Sequence, residues 1–412
     1  MLHPALVVVA SIEERYRSVR ARSVALSAPL SVEDQCVQPM PDASPTKWHL
    51  AHTSWFFEEL VLDGDRFDPE FHFLFNSYYE ALGPRVSRAR RGMVTRPSLE
   101  RVHDYRDDVD KRVLRALERG ALDDDALARL ELGLHHEQQH QELILTDIAF
   151  TLGTQPGAPA YRADLSREVP RAPEPMRFRS FEGGIADLGA PSSGFAFDNE
   201  RPRHRELAAA FDLATRPISN AEVLDFIADG GYESPLLWLS DGWQTVKQEG
   251  WHAPLYWNDD GTLWDLSGTR AIDPSETACH LSFYEADAIA RFCGGRLPTE
   301  VEWEIAAATH APEHGNFADD DRLQPARARG DALAQMFGDV WEWTRSSYAP
   351  YPGFRPLAGA LAEYNGKFMS GQHVLRGGSC FTPRGHVRAS YRNFFPPSAR
   401  WQMCGVRIAR DP

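Results

Sequence analysis

The sequence predicts a multidomain chain of two classes, a helical bundle over residues 8–152 and an α+β domain over 178–412, joined by a linker at 153–177. Three observations carry this reading. Apolar residues recur at helical spacing through the first 150 positions. Five prolines and two glycines fall within the 23 residues Gly153–Pro175, a composition that interrupts regular structure. Beyond them the chain is rich in Gly, Trp, Phe and Tyr and broken by turn residues every few positions, which favours short strands and loops.

In the first domain, Ser11 and Glu14 form a capping-box signature ahead of Tyr16, Val19 and Val24. Ser44 or Thr46 is expected to cap a second helix carrying Trp48, His52, Trp55, Phe56 and Leu60. A third helix is expected from Leu99 to Glu118, stopping at Gly120. Asp123 to Asp125 open a fourth that ends near Phe150, before Gly153. Four such segments with one long connection, 62–98, make a four-helix bundle the economical solution. In the second domain, strands are expected at Phe178–Ala186, Ala208–Arg216 and His373–Gly378. Helices are expected at Ser219–Ala228 and Ser282–Phe292.

The net charge of −15 opposes nucleic acid and anionic lipid, so neither is expected as a partner. The cysteines Cys36, Cys279, Cys293, Cys380 and Cys404 include no Cys-x-x-Cys pair and fit a reducing compartment. Leu6–Ile12 is short and lacks the basic segment of an export signal, and no run reaches the ~20 apolar residues of a membrane span. A cytoplasmic location is the expectation.

The strongest chemical signal is His135-His136-Glu137-Gln138-Gln139-His140-Gln141-Glu142. On a helix, His136 and His140 stack on one face and can present ring nitrogens to one ion. A third imidazole is available from His49 or His52, between which spacing does not choose. Three imidazoles leave open positions on the ion, the mark of a catalytic site, and suit iron, zinc, nickel or copper alike. The same residues satisfy His-Glu-x-x-His, the pattern of zinc hydrolases in which the Glu activates water. A Glu137→Gln change is expected to abolish a hydrolase and to be mild in an oxidase.

Phe71–Glu80 packs six aromatic residues, counting His72, into ten positions. Adjacent Tyr78 and Tyr79 could place a hydroxyl at the metal as proton donor. Arg85, Arg88, Arg90 and Arg91 follow, of which one or two could hold a substrate carboxylate through paired N–H donors.

Four ordered motifs in the second half, Arg296–Glu304, Gly338–Thr344, Val374–Cys380 and Gly405–Ala409, resemble the formylglycine-generating-enzyme (sulfatase-modifying-factor) fold, a C-type-lectin-like architecture. The first half resembles a DinB-like four-helix bundle. Together with Trp48-His49-Leu50-Ala51-His52 and the His136–Glu142 segment, the combination resembles the EgtB family of ergothioneine-biosynthesis sulfoxide synthases.

That resemblance implies an Fe(2+) enzyme that uses O2 to join the sulfur of cysteine or γ-glutamylcysteine to C2 of the hercynine (Nα-trimethylhistidine) imidazole. It implies His52, His136 and His140 as ligands, choosing His52 over His49, with Gln139 on the hercynine imidazole. Asn393 would bind the trimethylated end, and Phe394 and Phe395 offer aromatic faces to a cation that cannot donate hydrogen bonds. Asn76-Ser77-Tyr78-Tyr79-Glu80 resembles the branch in which tyrosines of the helical domain are catalytic, and Arg85 and Arg88 remain the carboxylate candidates. A formylglycine-generating activity is disfavoured, because Cys380 and Cys404 stand 24 apart with no closer partner. The zinc metallohydrolase and a non-catalytic binding module are the alternatives.

Overall fold

The computed structural model describes residues 10–330 and 332–412. Residues 8 and 9 of the expected bundle, and Leu6–Val9 of the apolar run, lie outside them. The chain divides into two compact units, one ending at Thr151 and one beginning at Leu152.

The first unit is helical: α1 (Ile12–Ser27), α2 (Thr46–Leu60), one turn α3 (Phe71–Leu74), α4 (Leu99–Glu118) and α5 (Asp124–Thr154). Ser11 and Glu14 close the expected capping box at α1, and Ser98 caps α4. At α2 the expectation fails: Pro45 occupies the cap position without a side-chain bond, and the Ser44 amide donates instead to Asp147 Oδ2 at 2.8 Å. The second helix is buried on every face from Thr46 to Glu58. Trp48, Trp55, Phe56 and Phe57 fill the bundle core, and the histidines between them are thereby withdrawn from water. Close approach to α5 requires Gly133, where a Cβ would lie 2.4 Å from the Phe57 ring.

Charge is buried here as well. Arg20 and Arg106, both almost fully buried, donate to the Glu137 carboxylate at 2.9 Å each, and Ser23 Oγ adds a bond of 2.6 Å. Arg20 also reaches Asp110 at 2.6 Å and Ser54 at 2.7 Å. Such a cluster is stable only while every member keeps its partners.

The second unit contains β1 (Phe178–Phe181), β2 (Gly184–Leu188), β3 (His204–Ala208), β4 (Phe211–Ala214), α6 (Asn220–Ala228), α7 (Ser240–Glu249), β5 (Thr262–Asp265), β6 (Gly268–Ala271), α8 (Phe283–Phe292), α9 (Glu300–Ala307), β7 (Trp341–Ser347), β8 (His373–Arg376), β9 (Asn393–Phe395), β10 (Cys404–Gly405) and β11 (Ala409–Arg410). One sheet has the order β1-β4-β11 and another β10-β7-β8-β9, with two hairpins, β2-β3 and β5-β6. The expected strand Phe178–Ala186 is two strands, because Gly183, at φ +73°, turns the chain between them.

The four motifs of this half prove to be fold-bearing. Glu302 completes a capping box with Thr299 and pairs with Arg296. Glu300 receives Arg376 at 3.0 Å and Arg392 at 2.9 Å, while Glu304 receives Arg376 at 3.0 Å. Glu342 receives Arg407 and the Trp303 indole N–H, all of them buried. All five cysteines are free.

Candidate metal centre

His52, His136 and His140 are buried, and each offers a ring nitrogen within 4.8 Å of the others. The second helix supplies the first and α5 the other two, whose rings are 4.6 Å apart between centroids, as their four-residue spacing requires. His52 Nδ1 lies 2.7 Å from the Phe75 carbonyl. A carbonyl only accepts, so Nδ1 carries the proton and Nε2 the lone pair. That Nε2 faces His136 Nε2 at 3.2 Å. Trp48 stacks on the His52 ring at 4.7 Å, with the Arg91 guanidinium 3.5 Å from the Trp48 ring centroid. Phe56 stacks on His136 at 4.4 Å. These contacts hold two of the three rings in place.

Burial keeps the imidazoles uncharged. It drives His52 and His140 well below the ordinary histidine value, with neighbouring histidines adding to the effect. His136 is pushed down to about 3, chiefly by burial and against the pull of Glu137. Neutral imidazoles keep a lone pair at physiological pH, which is what a metal ion requires. Three convergent nitrogens therefore fit a borderline divalent metal with open positions.

His49 lies outside this trio. Its Nδ1 is 2.8 Å from His140 Nδ1 and its Nε2 is 3.0 Å from Asp147 Oδ2. Glu137 turns away from the trio into its arginine cluster. Burial opposes its charged form, but Arg20, Arg106 and Ser23 outweigh this and hold it down at about 2. A carboxylate so engaged is not a free base for water, which removes the catalytic residue that the hydrolase reading needs.

Tyr79 is fully buried, stacked on Trp55 at 5.6 Å and against half-buried Tyr78 at 4.7 Å. Asn76 braces this segment, accepting from the Tyr79 amide at 3.1 Å and donating to the Tyr79 and Gly83 carbonyls. Gln139 is half-buried on α5, one residue before His140. Arg85 pairs with exposed Glu80 at 3.0 Å, and Arg88 is exposed. In the second unit, Asn393, Phe394 and Phe395 form β9. The Asn393 side chain accepts from the Phe394 amide at 2.9 Å, Phe394 stacks on Tyr348 at 4.0 Å, and Phe395 meets Trp401 edge-on. The sequence offers Arg91 with Arg85, Arg88 and Arg90 for a substrate carboxylate; the structure buries it over Trp48, donating to Ser44 Oγ and the Ser77 carbonyl, partners that no local spacing links to it.

Residues 15–144 match the DinB superfamily, and residues 165–332 and 330–412 match the sulfatase-modifying factor enzyme 1-like domain. Hercynine oxygenase of Mycolicibacterium smegmatis is 34% identical, with 90% of this chain and 92% of that protein aligned. Hercynine oxygenase of Mycobacterium tuberculosis is 33% identical over 91% and 93%. Ergothioneine biosynthesis protein 1 of Schizosaccharomyces pombe is 29% identical over 53% of this chain and 28% of its own length. Similarity of this depth across nearly the whole of both bacterial relatives, on a bundle and a second domain of the matching types, means that the chain belongs to the hercynine oxygenase family.

Proposed function

We propose that the protein is an iron(II)-dependent sulfoxide synthase of ergothioneine biosynthesis. It joins the sulfur of cysteine or γ-glutamylcysteine to C2 of the hercynine imidazole. The observation that carries the reading is the convergence of three buried, neutral imidazoles in a chain related over its length to hercynine oxygenases. The reaction balances with O2 as the oxidant: the thiol S–H and imidazole C2–H bonds break, a C–S bond forms, one oxygen atom stays on sulfur and the other leaves as water.

His52, His136 and His140 are the residues that hold iron in this reading. Iron(II), when bound, supplies the redox chemistry that lets O2 react with a thiol and an aromatic ring. The remaining roles belong to side chains. Tyr78 or Tyr79 delivers a proton to oxygen as it is reduced, steering the outcome toward C–S bond formation. Gln139 hydrogen-bonds the hercynine imidazole, while Asn393, Phe394 and Phe395 serve its trimethylated end. Arg85 and Arg88 are the partners proposed for a substrate carboxylate. Holding both substrates in one orientation replaces much of the entropic cost of their encounter. A cytoplasmic compartment belongs to the same reading, supported by five unbridged thiols.

The test is anaerobic loading with Fe(II), then O2 and hercynine with each thiol in turn. The expected product has the mass of both substrates plus two oxygen atoms less one water. Iron-loaded protein that leaves O2 untouched with both substrates present overturns the reading.

A further inference from the structure

We infer that His49 and Asp147 form a buried relay that selects the tautomer of His140, leaving the His140 Nε2 lone pair for a metal ion. This inference rests on the metal-centre reading above. His140 and Asp147 are seven residues apart on α5, two helical turns, so both side chains lie on one face. His49 reaches across from α2, one turn before His52, and touches both. Its Nε2 lies 3.0 Å from Asp147 Oδ2 and its Nδ1 lies 2.8 Å from His140 Nδ1.

The proton order follows from the end of the chain. Asp147 Oδ2 already accepts the Ser44 amide at 2.8 Å, and Arg91 Nη1 donates to Ser44 Oγ at 2.9 Å. A carboxylate of this kind only accepts, so His49 Nε2 carries a proton. In a neutral ring His49 Nδ1 is then an acceptor, His140 Nδ1 must donate to it, and His140 Nε2 is left unprotonated. With one proton on each ring only this order satisfies both contacts; the reverse order needs a second proton on His49 and places an N–H on His140 Nε2. Ser44, His49, His140 and Asp147 are all buried, so water does not complete the bonds in their place. His52 achieves the same end through the Phe75 carbonyl. One proposed ligand on each helix, His52 on α2 and His140 on α5, is thus oriented by the ring nitrogen that faces away from the ion.

Two measurements test the relay. In the metal-free full-length chain carrying 15N-histidine, long-range 15N–1H correlation, with His140 identified by its loss in His140→Gln, is expected to show the Nδ1–H tautomer. An Nε2–H pattern overturns the inference. In anaerobic titrations with Fe(II), and with Co(II) followed by its visible absorption, His49→Phe and Asp147→Leu are expected to weaken binding about 10- to 100-fold. Asp147→Asn, whose amide oxygen still accepts from His49, stays within about threefold. Unchanged affinity in His49→Phe overturns the relay and leaves the metal centre standing. Absence of binding by the unsubstituted chain overturns both.

Discussion

Arg106 Nη2 donates to Glu137 Oε1 at 2.9 Å, one residue from His136 and deep in the bundle. The glutamate of the His-Glu-x-x-His pattern is therefore a counter-ion for two guanidinium groups. The expected mild effect of Glu137→Gln gives way to a severe one, because Arg106 loses its carboxylate partner and Arg20 is left with Asp110 alone, neither regaining water.

Glu137→Gln is expected to cost about 3–5 kcal/mol of stability, the usual result of breaking a buried ion pair. Thermal unfolding of variant and unsubstituted chains measures it. A variant of unchanged stability that loses only activity would return the residue to a catalytic role.

Single changes of His52, His136 or His140 to Gln are expected to abolish tight Fe(II) binding while leaving the helical content unchanged. Circular dichroism with a metal-binding assay separates the two effects. A centre that keeps its affinity after any one change is not built from these three nitrogens.

Replacement of Tyr78 or Tyr79 by Phe is expected, for whichever supplies the proton, to divert turnover to oxidation of the thiol alone. Product analysis against O2 consumed gives the partition. Sulfoxide yield unchanged from that of the unsubstituted chain in both variants ends the tyrosine role.

Gly133→Ala sets two effects against each other. Alanine favours a helix by about 1 kcal/mol over glycine, but its Cβ would press on Phe57 at 2.4 Å, and overpacking costs about 1–3 kcal/mol. Net destabilisation is expected, with recovery in the Gly133→Ala, Phe57→Leu pair. A stabilised single variant would show that the helices separate freely.

Asp339 supplies a pH-dependent test. Its Oδ1 accepts from Asn316 and from the Ala326 amide, both at 2.7 Å, yet burial outweighs these bonds and pushes the carboxyl up to about 6 from an ordinary 3.8. Between the two values the folded chain binds the proton more tightly than the unfolded one. This contribution to stability is greatest below about pH 4, is lost as pH rises to about 6, and stays lost at neutral pH, a span of about 3 kcal/mol. The urea midpoint of Asp339→Asn, relative to the unsubstituted chain, should climb across that window and then level. A constant difference would refute the assignment.

Local rules explain what could be read from sequence. Ser11 and Glu14 bond within one turn, so α1 was legible at its start, whereas the Ser98 cap of α4 went unread. The His136–His140 pair was legible because helical spacing alone makes them neighbours. Helix α7 was missed: it has no side-chain cap and carries Gly242 in its interior. The Glu137 cluster was invisible for a different reason. Arg20 is 117 residues away and Arg106 is 31, and no periodicity joins them. The choice of His52 over His49 came from resemblance. The physical difference between the two is the partner of each ring, which lies on other segments.

The arginine–glutamate knots of the second unit bear on how the chain emerges from the ribosome. Glu300 awaits Arg376 and Arg392, 76 and 92 positions later, and Glu342 awaits Arg407, 65 positions later. Until these are synthesised, the nascent chain carries carboxylates destined for a dry interior with nothing to neutralise them, and a premature stop ahead of Arg407 should give an insoluble product and no working fragment.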